Sequence, residues 1–392
     1  MFEQELHVLE ACRRLRTIES FERRGGGPFV WIEGRRYTDF CSNDYLGLSR
    51  DPKLILRTRD SIEIYGMGSG GSRLLGGANL LFDHLEVHIA SFLGKERAIV
   101  FGSGYLANLG VITALASIKG SVVLLDRYSH ASIIDGTLLS GAGFHRFRHN
   151  DLNHLEAYLK KFDRTGRHVV VVVESVYSMD GDVAPIHELI ELKARYGFTL
   201  VVDEAHAIGV FGRDGRGLVT GDEAPHVDCI IGTFGKALGG YGAFCATSGE
   251  IASLLVNKAR SFIFSTALPI PVVVWNLQAL RFSRRLHRRR AAIRELSTGF
   301  RRFLKDTLGL TSSSQSQIVP VVIGDAEKTV EVAQALKERG VYLRAIRPPT
   351  VPPGTSRLRV SISWLHRRGA MEDLMGALRD VLSQDRYATC HF

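Results

Sequence analysis

The chain has 392 residues, of which 45% are hydrophobic and 23% charged, enough apolar material for one large domain with a smaller one attached. No apolar run approaches the roughly 20 residues of a membrane span, so no membrane partner is expected. Lys and Arg outnumber Asp and Glu by 50 to 41, giving +9; no RNA- or DNA-binding signature accompanies the excess, so anionic substrates are expected rather than nucleic acid.

The opening MFEQELHVLEACRRLR mixes charged and apolar residues and lacks the uninterrupted apolar core of a signal peptide. A cytoplasmic location is the expectation. Residues 1–25 read as a helix that stops at Gly25-Gly26-Gly27-Pro28. Residues 28–42 read as a hairpin turning at Gly34, and 42–52 as a loop. The stretch 65–79, YGMGSGGSRLLGGAN, is too rich in glycine for a regular element and implies close approach of another backbone or a ligand.

From about 80 to 270, short apolar runs alternate with helical periodicity. The runs 122–126, 169–175, 198–203, 229–234 and 241–248 are near-continuously apolar, as in a buried, mostly parallel sheet with helices on both faces. Residues 277–306 read as one long basic helix. Strand, helix, strand, a proline-rich loop, strand and helix follow, which is an α+β pattern. The expected divisions are 1–42, 43–280 and 281–392.

Polar residues gather where these strands end. Asp203 closes one apolar run, with His206 three residues on, and Gly235-Lys236 closes the next. A desolvated lysine is nucleophilic towards carbonyls, and a nearby carboxylate suits the protonated ring nitrogen of pyridoxal phosphate. FGSGYLANLG (101–110) opens a helix after a glycine turn, a natural seat for phosphate. His130, Glu174, Ser178 and Asp180 lie at neighbouring strand ends. Arg357 and Arg359 alternate on one strand with like orientation, and one of them could grip a carboxylate bidentately. The RRLHRRR run (284–290) reads first as a solvated helix face. The five cysteines at 12, 41, 229, 245 and 390 have no metal-like spacing and are expected to be reduced; no metal is expected.

SNDYLGL, GSGGSRLLGG, RYSHASIIDG, ESVYSMDGD, VVDEAHAIGVFGRDGRG, TFGKALGGYG, FSTALP and AIRPPTVPPGTSRLRVSIS, in that order between about 37 and 365, resemble the α-oxoamine synthases. These are fold-type I pyridoxal-phosphate transferases, with a seven-stranded, mostly parallel sheet in the large domain and a smaller α+β C-terminal domain. The resemblance implies that Lys236 carries the cofactor covalently and that Asp203 pairs with its ring nitrogen. His206 and Ser178 would contact the ring hydroxyl, and His130 would stack on the ring. The backbone of Gly104 and Tyr105, with Thr233, would hold the phosphate. Arg359 would bind the amino-acid carboxylate, Thr350 would lie near the acyl substrate, and Asn43 and Glu174 would line the pocket.

HASIIDG, FRHND and AIRPPTVPPGTSRLR are most similar to the branch that condenses L-alanine with a pimeloyl thioester on coenzyme A or an acyl carrier protein. Family members are homodimers with a shared site, so the 65–79 loop and Ser265-Thr266 would reach the second subunit's cofactor. Two departures stand out. RTIESFERR offers no arginine in register with the acyl-positioning arginine of the family, and Phe82 replaces a common histidine.

Overall fold

The computed structural model describes residues 1–11, 14–219 and 221–383. The expectations for Cys12, Cys390 and the tail after 386 lie outside them. The chain divides into two compact units. One holds 43–178 and 182–291, the other 1–42, 179–181 and 292–392.

At the N-terminus a helix, α1, covers only Phe2–Ala11, shorter than the 25 residues expected, and none of its residues is buried. Without an apolar face against a core, a longer helix here has little to hold it. The hairpin forms as read, β1 (Phe29–Ile32) against β2 (Arg35–Asp39), with Glu33 and Gly34 both at positive φ in the turn. That pairing of signs matches the twist of the two strands.

The larger unit begins with α2 (Pro52–Tyr65) and α3 (Leu80–Leu93). Then come β3 (Arg97–Phe101), α4 (Gly104–Ala116), β4 (Val122–Asp126), α5 (Ala131–Ser140), β5 (Gly143–Phe147) and α6 (Leu152–Asp163). β6 (Val169–Glu174), α7 (Ile186–Tyr196), β7 (Thr199–Asp203), β8 (Cys229–Thr233), β9 (Ala243–Thr247), α8 (Gly249–Lys258), α9 (Arg260–Ile263) and α10 (Ile270–Ser283) complete it. The seven strands form one sheet in the order β3-β9-β8-β7-β6-β4-β5, parallel except for β9, which runs against both neighbours. Every residue of β4, β6, β8 and β9 is buried, as a sheet covered on both faces requires. Strand order reverses between β4 and β6, and the crevice at such a reversal is where open α/β sheets bind ligands.

Two strands, β3 and β5, fall outside the five apolar runs. β5 reads GFHRF and is mostly exposed at the sheet edge, so its polar residues hid it. The 277–306 helix is in fact two, α10 and α11 (His287–Leu308). From the first turn of α11, Arg290, 7% exposed, gives its guanidinium to the carbonyls of Ser283 (2.7 Å) and Arg284 (3.1 Å), capping α10. Arg284, Arg285 and Arg288 are exposed, in keeping with a solvated face.

In the other unit, β10 (Ile318–Gly324), α12 (Ala326–Glu338), β11 (Val341–Tyr342), β12 (Ala345–Ile346), β13 (Ser356–Ser361) and α13 (Arg367–Leu382) complete the chain. β13 lies between β10 and β12, antiparallel to both. β11 joins β2 in parallel, Val341 opposite Thr38 and Tyr342 opposite Asp39. This pairing groups the first 42 residues with 292–392 instead of leaving them as a separate segment, and the division falls at 291/292 instead of 280/281.

Candidate active site

Four strand ends of the parallel sheet bring ionisable side chains together. Asp203 is the last residue of β7, with Glu174 beside it at the end of β6. Lys236 follows β8, in a turn that closes through Gly239. That glycine has φ +60°, and a Cβ on it would meet Ser49 N at 2.3 Å. His130 caps the N-terminus of α5, just beyond β4.

Lys236 is half-buried, and its Nζ lies 2.8 Å from His206 Nε2. His206 Nδ1 is 2.8 Å from the Tyr45 hydroxyl, which donates to Asn43 Oδ1 at 3.0 Å. With the Tyr45 proton given to Asn43, His206 Nδ1–H donates to Tyr45 and Nε2 accepts from Lys236. The 204–219 turn that carries His206 is fastened by Glu204, whose carboxyl accepts from the amides of Leu218 (3.0 Å) and Val219 (2.6 Å). Full burial raises the Glu204 pKa to about 7.

Asp203 is 6% exposed and held from two sides, by Asn108 Nδ2 on Oδ2 and by the Ala205 amide on Oδ1, both at 2.8 Å. Glu174 accepts the His130 amide at 2.6 Å. Burial, with the Asp203 charge next, lifts its pKa to about 8, so near neutrality it holds a proton. Asn108 also donates to Ser132 Oγ at 2.9 Å, and Ser132 Oγ is 2.7 Å from His130 Nδ1.

Gly104 is the first residue of α4, and Ser103 caps the helix by accepting the Leu106 amide. The leading amides of a helix lack intrahelical acceptors and favour an anion. A Cβ on Gly104 would stand 3.9 Å from Thr233, so the two border one space. Tyr105 turns its hydroxyl to Asp135. Ser178 is half-buried in the loop after β6.

Asp180 does not join this group. It belongs to the other unit, ion-paired with Arg357. The two arginines of β13 differ in their surroundings. Arg357 is 5% exposed and neutralised, whereas Arg359 is half-buried and donates to Ser361 Oγ at 2.8 Å. In the same unit Thr350 accepts from Arg16 Nη2 at 2.9 Å. An arginine, the first residue of RTIESFERR, therefore stands beside Thr350, although it is out of register with the family's arginine unless the alignment is shifted.

Ser265 and Thr266 line a small cavity with Arg73, Phe82, Phe101 and Gly102. Thr266 bridges to Ser72, and the Ala267 amide donates to Gly71 O at 2.9 Å, so the 65–79 loop lies against them within one chain. A Cβ on Gly77 would fall 2.1 Å from Gly71 O; at that position glycine serves the loop's own fold. Phe82 is buried, with the Arg73 guanidinium 4.2 Å from its ring centroid, and Glu86 holds the same guanidinium at 2.9 and 3.3 Å.

Next to the site, His149 bridges two carboxylates, Nδ1 to Asp126 at 2.8 Å and Nε2 to Asp182 at 2.6 Å. Burial opposes its charge, but the two bonded carboxylates prevail and raise its pKa to about 10. The folded value exceeds the unfolded one, so the stabilisation is complete below about pH 6.5 and is lost as pH rises through 10. His149→Gln is expected to cost about 3 kcal/mol at pH 6 by urea unfolding, a gap that narrows towards pH 10. A pH-independent gap would contradict the charged bridge.

Asn43, Glu174, Asp203, His206 and Lys236 thus fall in one unit with His130, Gly104, Tyr105, Ser178, Thr233, Ser265 and Thr266, and Thr350 and Arg359 in the other. Tyr45, Asn108, Ser132 and Arg16 were not singled out from sequence. Asn108 left one trace, an amide on the buried face of an otherwise apolar helix. Cys41, Cys229 and Cys245 are free thiols. Among the described residues no cluster of His, Cys, Asp and Glu could hold a metal ion, and no helix is long and apolar enough to cross a membrane.

Residues 35–378 match the family described as aminotransferase class I and II. The chain is 44% identical over 390 residues to an 8-amino-7-oxononanoate synthase of Geobacter sulfurreducens, covering 96% of each. It is 42% identical to one of Cellvibrio japonicus, over 91% of this chain and 89% of the other. Among solved structures, a serine palmitoyltransferase of Sphingomonas wittichii superposes with a TM-score of 0.89 at 32% identity, covering 97% and 96% of the two chains. An 8-amino-7-oxononanoate synthase of Francisella tularensis superposes at 0.75 and 28% identity, covering 90% and 98%. The chain belongs to the aminotransferase class I and II family, as one of its α-oxoamine synthases.

Proposed function

We propose that the chain condenses L-alanine with a pimeloyl thioester, releasing CO2 and the free thiol, to form 8-amino-7-oxononanoate for biotin biosynthesis. The carrying observation is near full-length likeness to synthases of that name, at 41–44% identity, joined to a lysine, a buried carboxylate and a helix N-terminus at one sheet edge.

That donor set fits pyridoxal phosphate, which solved neighbours hold. Lys236 would bind its aldehyde carbon, Asp203 would balance the protonated ring nitrogen, and the α4 amides with Thr233 would take the phosphate. When bound, the cofactor supplies an electron sink for bonds made and broken at the amino acid's α-carbon. The protein's share is positioning and proton transfer. Lys236 Nζ takes the alanine α-proton, and His206 accepts a hydrogen bond from that amine. Arg359 anchors the alanine carboxylate, and Ser178 and His206 serve the ring hydroxyl. His130 donates to the thioester oxygen as charge develops there.

A second copy of the chain is inferred to complete the site. Ile64, Met67, Leu75 and Leu80 are 60–82% exposed beside the 65–79 loop, an apolar surface that a homodimer would cover. Cytoplasmic location is proposed with the pathway.

Arg16, beside Thr350, is proposed to steady the free carboxylate of the pimeloyl chain. Arg16→Ala is expected to raise KM for the thioester about tenfold, the loss of a charged hydrogen bond of about 1.5 kcal/mol, with kcat nearly unchanged. An unchanged KM would remove it from the acyl site.

The reading as a whole is tested by thiol release from pimeloyl-CoA with L-alanine, glycine and L-serine in parallel. Alanine-dependent release is expected. Turnover with serine and palmitoyl-CoA instead would favour the activity of the structural neighbours, and silence with every CoA ester would move the test to a carrier-protein thioester.

A further inference from the structure

His130 has two ring nitrogens, and one of them faces residues outside the predicted set. As N-cap of α5, its Nδ1 accepts the Ser132 amide at 3.2 Å. The Ser132 hydroxyl reaches the same nitrogen at 2.7 Å. Ser132 is 0% exposed, and its Oγ takes a hydrogen bond from Asn108 Nδ2 at 2.9 Å.

The direction of this chain starts at Asp203. An amide facing a carboxylate must present its nitrogen, and Asn108 Nδ2 lies 2.8 Å from Asp203 Oδ2. The same nitrogen then offers its second hydrogen to Ser132. A hydroxyl has one proton to give. With Asn108 donating into Oγ, the Ser132 proton goes to His130 Nδ1. That nitrogen receives two donors and carries no proton of its own.

We propose that Asp203, Asn108 and Ser132 form a one-way hydrogen-bond chain that sets His130 as the neutral Nε2–H tautomer, making Asn108 and Ser132 positioning residues of the reaction. Asn108 remains in this orientation although its Oδ1 is buried without a partner, a cost that only the two donated bonds offset. The α5 N-terminus works in the same direction, because its dipole disfavours a cation.

The groups facing the ring do not reverse this. Partial burial lowers the His130 pKa, Lys236 lowers it further, and Asp203 and Asp135 act oppositely, with a net lowering. Glu174 meets only the His130 backbone amide, and Tyr105 approaches edge-on at 6.4 Å with its hydroxyl on Asp135. The consequence for chemistry rests on the function proposed above. An Nε2–H donates to the thioester oxygen as negative charge builds, whereas the other tautomer would turn a lone pair towards it.

The first test needs no substrate. The full chain is labelled with ring-15N histidine, and its spectrum is compared at neutral pH with that of His130→Asn to assign the His130 resonances. The expected result is a protonated, pyrrole-type Nε2 and a bare, pyridine-type Nδ1. A proton on Nδ1, or on both nitrogens, would overturn the proposal.

Ser132→Ala removes the hydroxyl but keeps the amide. A mixture of tautomers is expected, with kcat/KM about tenfold lower and its acid limb moved to higher pH because Nδ1 has lost a donor. Ser132→Thr should restore tautomer, pH profile and rate to within about twofold. Wild-type tautomer populations in Ser132→Ala would also sink the idea. Because the spectra are read without turnover, a failure of the proposed reaction and a failure of this hydrogen-bond chain are separable.

Discussion

Lys236→Ala is expected to lower kcat by about 10⁴-fold, the upper range for losing a proton-transferring group, while the variant still takes up pyridoxal phosphate. The amine has two proposed tasks, holding the cofactor and moving the α-proton, and both depend on one atom placed 2.8 Å from His206 Nε2. The α4 amides, Thr233 and Asp203 stay in place, so uptake should survive. Thiol release with alanine gives the rate, and absorbance of the bound cofactor gives occupancy. Near-normal turnover would remove Lys236 from the reaction; lost uptake would show that the remaining contacts hold too little.

The second large effect is at Asp203. Asp203→Asn should reduce kcat by about 10²–10⁴-fold, corresponding to the roughly 3–5 kcal/mol lost when one member of a buried charge pair is neutralised. The substitution also disturbs its surroundings, because Asn108 and the Ala205 amide both donate to the carboxylate. One of them would face a new N–H. KM for alanine should change little, since its carboxylate is assigned to Arg359. A kcat within tenfold of wild type would mean that Asp203 supports the sheet edge and not the cofactor ring.

Lys236 and Asp203 were legible as positions because Asp203 ends the buried apolar run of β7 and Lys236 follows that of β8 by three residues, and a charge so close to a core stands out in the sequence. Asn108 and Ser132 were not, because the partners of Asn108 lie 95 and 24 residues away, and the one local trace, a buried amide in α4, does not say what it bonds. Arg16 depends on Thr350, 334 residues distant, and follows a helix that ends earlier than its pattern suggests. The break between α10 and α11 escaped for a related reason. Helical periodicity continues through Arg284, while the carbonyls there turn to the Arg290 guanidinium. β5 lacked any apolar alternation, and edge position alone allowed a strand reading GFHRF.

The placement of β3 has a consequence for synthesis. It is the first strand of the large sheet to be made, and its one neighbour there is β9, with Arg97 opposite Thr247. About 150 residues separate them, so at ~5–20 residues per second β3 waits roughly 8–30 s for its partner to be translated. Its apolar stretch Ala98–Phe101 stays unpaired for that time. A nascent chain stalled before residue 243 would keep that stretch exposed to association with other chains, and early handling by a holding chaperone follows from strand order alone.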